Sequence, residues 1–180
     1  MTLRATESLL LLIDIQERLA PAIEGGGQVV QRIELLLRAA KRLGIPALAS
    51  EQYRKGLGLT LAVLCEDLPP ERRIEKTAFS ALREAPLAKA IAGEAKPQIV
   101  VAGMECHVCV LQTVLDLLAQ DYEVYLVRDA VGSRRQRDLD AGIARMERAG
   151  AIPVTAEMVV FEWLERAGTP EFKDLLDLIK

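Results

Sequence analysis

The sequence predicts an α/β fold, with a mostly parallel sheet covered by helices on both faces. Three observations carry this expectation. Short apolar or β-branched runs alternate with amphipathic helical patterns from end to end. That alternation implies right-handed βαβ crossovers and a buried parallel sheet. The 180 residues, 51% hydrophobic and 27% charged, contain no repeat, linker or low-complexity segment, so residues 1–180 read as a single domain with a real core.

The elements follow in order. Ser8 to Asp14 (SLLLLID) is too short for a helix and reads as a buried strand ending in a carboxylate. Ala20-Pro21 through Gly25-Gly26-Gly27 reads as a turn. The glycine run lacks the lysine and spacing of a phosphate loop. From Gln28 to Leu43, Val29, Ile33, Leu36, Leu37 and Ala40 share one helical face, and Gly44 closes the helix. Ile45 to Ala49 is a second strand and Arg54 to Thr60 a glycine-containing loop. Leu61 to Asp67 is a helical turn or two, stopped by Pro69-Pro70.

Arg73 to Lys76 is an extended segment ending at a lysine. Pro86 to Glu94 is a helix with proline near its start. Residues 98–103 form a strand that breaks at Gly103, and 107–120 a helix with Val108, Leu111, Val114, Leu115 and Leu118 on its apolar face. Tyr122 to Val127 alternates as a strand. Gln136 to Ala149 is a helix before Gly150, Ile152 to Thr155 the last strand, and Glu157 to Ala167 and Pro170 to Ile179 are helices.

In a parallel sheet of this kind, ligands bind beyond the carboxyl ends of the strands. Asp14, Lys76 and Cys109 each fall at or just after such an end. Cys109 lies near a helix start, where N–H groups and the helix dipole stabilise a thiolate or a developing oxyanion. The thiol is a candidate nucleophile, half of a redox pair, a metal ligand or a buried core residue. In the nucleophilic reading Asp14 accepts the proton and Lys76 lowers the thiol pKa and holds the carboxylate. The backbone N–H groups around Glu105 and Cys109 are then the oxyanion donors.

Composition excludes several classes. A net charge of −3 without a basic block gives no case for nucleic acid or an anionic membrane as partner. The longest apolar run, Leu9 to Ile13, is far short of the ~20 residues of a membrane span, and its flanks do not suit a signal peptide. Three cysteines without export signals point to a reducing cytoplasm. His107 is the one histidine, so any site needing two within a chain is excluded.

Six stretches carry a family resemblance: LLLIDIQERL (10–19), EQYRKGLGLT (51–60), EKTAFSAL (75–82), VVAGMECHVCVLQTVLDLL (100–118), VYLVRDAVGSR (124–134) and EMVVFEWL (157–164). Together they resemble the isochorismatase-like cysteine hydrolase superfamily, in its isochorismatase-domain-containing subgroup. The resemblance implies a Rossmann-like three-layer α/β/α sandwich with a mainly parallel six-stranded sheet. It also implies an Asp14-Lys76-Cys109 triad, a cis peptide between Met104 and Glu105 that aims the Glu105 N–H into the pocket, and a homo-oligomer. Nicotinamidases of this superfamily carry an Asp-x-His metal motif where this chain reads Glu51-Gln52-Tyr53, so no metal and no cofactor are expected. Isochorismatases proper lack the nucleophilic cysteine. Its presence here implies hydrolysis of a C–N bond in a small amide, ureide or carbamoyl substrate through a thioester. Gln16, Gln52, Tyr53, Phe79 and His107, close in sequence to these motifs, are the candidate pocket residues.

Other readings remain open. Cys106-His107-Val108-Cys109 is a C-x-x-C at a strand-to-helix junction, but the surroundings of a thioredoxin dithiol are absent; a regulatory disulfide is the weaker form of that idea. Zinc on Cys106, His107 and Cys109 would need further ligands. The Arg134-Arg135-Gln136-Arg137 cluster reads as a solvated helix start, with a subunit contact or an anion site as alternatives. Val159, Val160, Phe161, Trp163 and Leu164 supply either an oligomer interface or packing onto the sheet. The chain as a whole is a hydrolase or, alternatively, a catalytically silent small-molecule-binding or scaffolding relative.

Overall fold

A computed structural model describes residues 2–179. Its chain order is β1 (Ser8–Ile13), α1 (Gly26–Leu43), β2 (Ala47–Gln52), α2 (Arg54–Leu57), β3 (Arg73–Lys76), α3 (Ala85–Gly93), β4 (Gln98–Met104), α4 (Leu111–Leu118), β5 (Glu123–Gly132), α5 (Gln136–Arg148), β6 (Ile152–Val154), α6 (Ala156–Leu164) and α7 (Pro170–Ile179). The six strands form one all-parallel sheet in the order β3-β2-β1-β4-β5-β6. The expected three-layer architecture is present.

Period-two alternation builds the two cores. Along β1, Leu10 and Leu12 point into one layer, and Leu9, Leu11 and Ile13 into the other. Along β4, Val100, Ala102 and Met104 join the first group, and Ile99 and Val101 the second. The first layer is completed by α1, α6 and α7, the second by α3, α4 and α5. The predicted face of α1 (Val29, Ile33, Leu36, Leu37, Ala40) is buried as expected. Leu35 and Ala39 are buried too, because α1 also packs against α6 and α7. Gly44 closes α1 in the left-handed region at φ 68°. Among the described residues no helix is long and apolar enough to cross a membrane.

Several boundaries differ from the sequence reading, each for a local reason. Gly26 and Gly27 belong to α1, so the turn ends at Gly25, which takes φ 66°. Residues 61–67 form only a short 3-10 turn, Ala62–Leu64. The helix expected from 107 opens as a π-helical turn, Cys106–Val110, that runs into α4. Helix α6 stops at Leu164 because Glu165 turns the chain at φ 57°. Val159, Val160, Trp163 and Leu164 pack inward, and Phe161 stays exposed against Phe172. Strand β5 continues five residues beyond Val127. The charged pair Arg128-Asp129 sits in a register shift, after which Val131 and Gly132 pair again with Gly103 and Met104.

The strand order reverses direction on either side of the β1–β4 pair, which is the topological switch point. Gly103 lets the two strands lie close there. Its φ is 129°, and a Cβ on it would stand 2.1 Å from the Ile13 carbonyl oxygen. Asp14 follows β1 in the left-handed region at φ 51°, a conformation that aspartate tolerates better than most residues.

Candidate active site

Asp14, Lys76 and Cys109 arrive from three different strand ends and meet at the switch point. Lys76 closes β3, at the sheet edge. Its long side chain passes the end of β2, so that its Nζ lies 2.9 Å from Asp14 Oδ2. Both side chains are fully buried. Asp14 Oδ1 accepts a hydrogen bond from Ser50 Oγ at 2.6 Å. Lys76 Nζ also faces the carbonyls of Phe79 (3.0 Å) and Ala78 (3.2 Å) and Oε1 of Gln52. A lysine inside four acceptors, and a carboxylate held by a cation and a hydroxyl, are the conditions under which a buried ion pair is tolerated.

Cys109 sits above this pair on the π-helical turn after β4. Its Sγ lies 3.9 Å from the same Gln52 Oε1. The peptide between Met104 and Glu105 is cis. The sequence led us to expect Lys76 and the helix start to lower the thiol pKa, and the geometry gives the opposite direction. Burial comes first and the Asp14 carboxylate second, and together they push the Cys109 thiol up to about 12 against the pull of Lys76. The resting group is a neutral thiol beside a carboxylate.

A pH dependence follows. The folded protein holds this proton to higher pH than the unfolded chain, whose thiol titrates near 9.0. The contribution to stability is therefore complete below about 9 and is lost as pH rises towards about 12. In an ultraviolet titration, the thiolate absorbance of wild type minus Cys109→Ala stays flat through the neutral range and rises only well above pH 9. A Cys109 thiolate forming at or below about pH 9, the ordinary value of the group, would contradict this.

The cleft over Cys109 has a volume of about 350 Å3. Asp14, Gln52, Glu105 and Cys109 contribute its polar and reactive groups. Leu19, Ala22, Leu57, Phe79 and Val108 make it mostly apolar, and the exposed Arg18 and Arg134 complete it. That size and character suit a small molecule bearing a few polar groups. A larger depression of about 580 Å3 lies elsewhere, between Glu24, Gln28, Arg32, Arg128, Asp129 and Gln136; none of the three strand-end residues lines it. The smaller cleft is the better candidate, because it brings the thiol together with the buried pair.

The residues predicted for the pocket divide into two groups. Gln52 and Phe79 line the cleft. Gln16, Tyr53 and His107 do not. Gln16 is buried with its amide spent on the backbone: Nε2 donates to Gly58 O (2.7 Å) and Gln52 O (3.0 Å), and Oε1 accepts from Gln52 N (2.7 Å). It thus braces the end of β2. Tyr53 is half exposed beside Gly56. His107 Nδ1 pairs with Ser133 Oγ at 2.9 Å.

Sequence reasoning missed Ser50, Arg18 and the role of Glu105 as a partner of Arg134. Oε1 of Glu105 accepts from Arg134 Nε at 2.9 Å and Arg134 N at 3.2 Å. The extension of β5 is what brings Arg134 there, and the charged break at 128–129 hides that extension from pattern reading. Glu51, at the position of the nicotinamidase-type metal motif, is occupied otherwise. Burial would raise its carboxyl. Hydrogen bonds from the Thr60 hydroxyl (2.6 Å) and N–H (2.7 Å), with the Arg54 guanidinium alongside, bring it net below the usual carboxylate range.

Comparison with known proteins agrees with this architecture. Residues 8–158 match the isochorismatase domain model. Isochorismatase domain-containing protein 1 of Salmo salar is 40% identical over 169 residues, covering 93% of this chain and 59% of that protein, so the chain spans about three fifths of that relative's length. A solved structure of a Caenorhabditis elegans protein named MAR1 ribonuclease superposes with a TM-score of 0.92 at 36% identity, covering 99% of this chain and 92% of its own. The YcaC gene product of Escherichia coli, described as an octameric hydrolase of unknown specificity, shares the fold with a TM-score of 0.93 at 22% identity, covering 99% of this chain and 90% of its own. With the domain match spanning most of its length, a 40% identical relative aligned over nearly all of it and the same six-stranded parallel sheet, the chain belongs to the isochorismatase family.

Proposed function

We propose that the protein hydrolyses a C–N bond of a small amide, ureide or carbamoyl compound through a thioester on Cys109. The observation that carries this reading is the placement of Cys109 beside the buried Asp14–Lys76 pair, in a cleft of small-molecule size.

The steps balance without an external cofactor or metal. Asp14 takes the thiol proton as Sγ attacks the substrate carbonyl, so no preformed thiolate is needed. The carbonyl oxygen becomes an oxyanion facing the backbone N–H groups of Glu105 and Cys109. Protonated Asp14 then gives its proton to the departing nitrogen, the C–N bond breaks, and an acyl thioester remains on Cys109. Water enters, Asp14 takes its proton, and hydroxide attacks the thioester. The acid leaves, and the returning proton restores the thiol. Lys76, held by Gln52 and the carbonyls of residues 78 and 79, keeps Asp14 oriented.

A screen of small amides, ureides and carbamoyl compounds with wild type and Cys109→Ala tests this. Turnover by the wild type alone supports it. An absence of turnover across the screen, with small molecules still bound in the cleft, would replace it with the binding-module reading. The ribonuclease name of the C. elegans neighbour raises RNA as a substrate. A cleft of about 350 Å3 with apolar walls and a net charge of −3 favour a small molecule instead, and RNA cleavage lost in Cys109→Ala would overturn that choice.

The octameric E. coli neighbour and the exposed Met158 and Phe161 on α6 support a homo-oligomer. Solution scattering is expected to give a multiple of the 19.8 kDa chain mass; a mass of one chain would refute the oligomer.

A further inference from the structure

Two arginines line the cleft, and the proposed chemistry uses neither. Arg134 is 62% exposed in its side chain and spends Nε on Glu105. Asp138 adds an electrostatic attraction from the neighbouring surface, but no hydrogen bond to the terminal nitrogens is found among the described residues, so they are open to a ligand. Arg18 forms no ion pair among the described residues. Its Nη1 donates to the carbonyls of Gly56 (3.0 Å) and Lys55 (3.4 Å), at the α2 turn. These contacts hold the guanidinium in place and leave its charge uncompensated.

The charges around the cleft do not cancel. Asp14 is matched by Lys76, and Glu105 by Arg134. Arg18 is left over, so the lining together with the buried Lys76 behind it carries an excess of one positive charge. The remaining walls of the cleft are apolar, contributed by Leu19, Leu57 and Val108 among others. A ligand complementary to this arrangement places its scissile carbonyl at Cys109, a short apolar body along the walls, and an anionic group against guanidinium donors. Guanidinium is the side chain best shaped for a carboxylate, through paired N–H donors.

We propose that Arg18 and Arg134 form an anion subsite, and that the substrate is an amide-type compound carrying a carboxylate at the end remote from the scissile bond. This rests on the hydrolase reading for which end of the ligand reacts. The subsite itself is tested without turnover.

The probes are two bromoacetamides that label thiols, matched in length. One has a four-carbon tail ending in a carboxylate, the other a tail ending in the neutral methyl amide. The rate of labelling at Cys109 is followed by peptide mapping in wild type, Arg18→Gln, Arg134→Gln and the double variant, with a short cysteine peptide as reference. Thermal unfolding shows that each variant is folded. After division by the peptide rates, the carboxylate reagent is expected to label wild-type Cys109 about tenfold faster than the neutral one, in line with charge-assisted hydrogen bonds. The ratio falls towards one in the double variant, and partway in each single variant. Arginine-to-lysine changes at the same positions retain part of the preference, because the charge remains and the paired donors are lost.

Equal labelling by the two reagents in wild type, or a preference that survives the double variant, would overturn the subsite. The two proposals fail separately. Hydrolysis of neutral amides with no anion preference removes the subsite and keeps the hydrolase. Anion-directed labelling with no hydrolysis of any carboxylate-bearing amide keeps the subsite and removes the hydrolase.

Discussion

Replacing Cys109 with alanine is expected to lower turnover of any amide the protein hydrolyses by about four orders of magnitude or more, the scale on which removal of a covalent nucleophile acts in other hydrolases. The fold should survive. Cys109 packs in the layer of α3, α4 and α5, and loss of one sulfur there costs about 1–2 kcal/mol, the range of an ordinary small-core truncation. Cys109→Ser is the sharper variant, since it keeps the shape and replaces the thiol with a far weaker acid. Asp14 then has no readily removed proton to accept, and activity should stay close to that of the alanine variant. Kinetics on the best substrate from the screen, beside a urea titration of each variant, separate lost chemistry from lost structure. Retention of more than about a tenth of wild-type activity in either variant would place the nucleophile elsewhere, since a group acting as nucleophile is worth far more than tenfold.

The second large effect concerns the fold itself. Lys76→Met is expected to destabilise the protein by about 3–5 kcal/mol, the typical cost of leaving a buried charge without its partner. Asp14 would keep Ser50, at 2.6 Å, and the neighbouring Cys109 thiol as partners but no cation, in a fully buried site. Asp14→Leu leaves the lysine stranded among Gln52 Oε1 and two carbonyls and should cost a similar amount. The double variant should be more stable than the sum of the single changes predicts, because neither charge is then stranded. Urea midpoints of the four proteins give the coupling. Single costs below about 1 kcal/mol, the scale of an exposed ion pair, would show that water reaches the pair. All variants lacking either group are expected to be inactive, whatever their stability.

Much of the architecture was legible because the hydrophobic pattern changes period where the structure changes. SLLLLI and QIVVAGM became the central strands β1 and β4. The Val29-to-Ala40 stripe became the buried face of α1. Where the pattern failed, tertiary contacts had overruled it. Strand β5 runs on through Arg128-Asp129, because β4 supplies a second set of partners after the register shift. The apolar residues of 61–67 form only a 3-10 turn, since Leu64 and Leu68 find the core without a longer helix.

The site was legible to the extent that strand ends mark it. Asp14, Lys76 and Cys109 could be picked out because each follows a strand, and the strand order converges them. Proximity in sequence was a poorer guide to the cleft. Gln16 and Tyr53 lie next to the motifs, yet one braces backbone and the other turns away. Ser50 sits inside a plain strand and has no sequence mark at all. Arg134 read as a solvated helix start, and it took the fold to set it beside Glu105. The direction of the Cys109 pKa was also hidden. It depends on burial and on the closeness of Asp14, and neither is visible in spacing along the chain.

Central to the proposed mechanism is a covalent bond between Cys109 and the acyl half of the substrate. Rapid-quench peptide mapping during turnover of a saturating amide addresses that bond directly. The predicted result is the acyl group on the peptide containing Cys109 in wild type, with no such adduct in Cys109→Ala. Release of the amine with Cys109 unmodified, or an acyl group on a different residue, would contradict it.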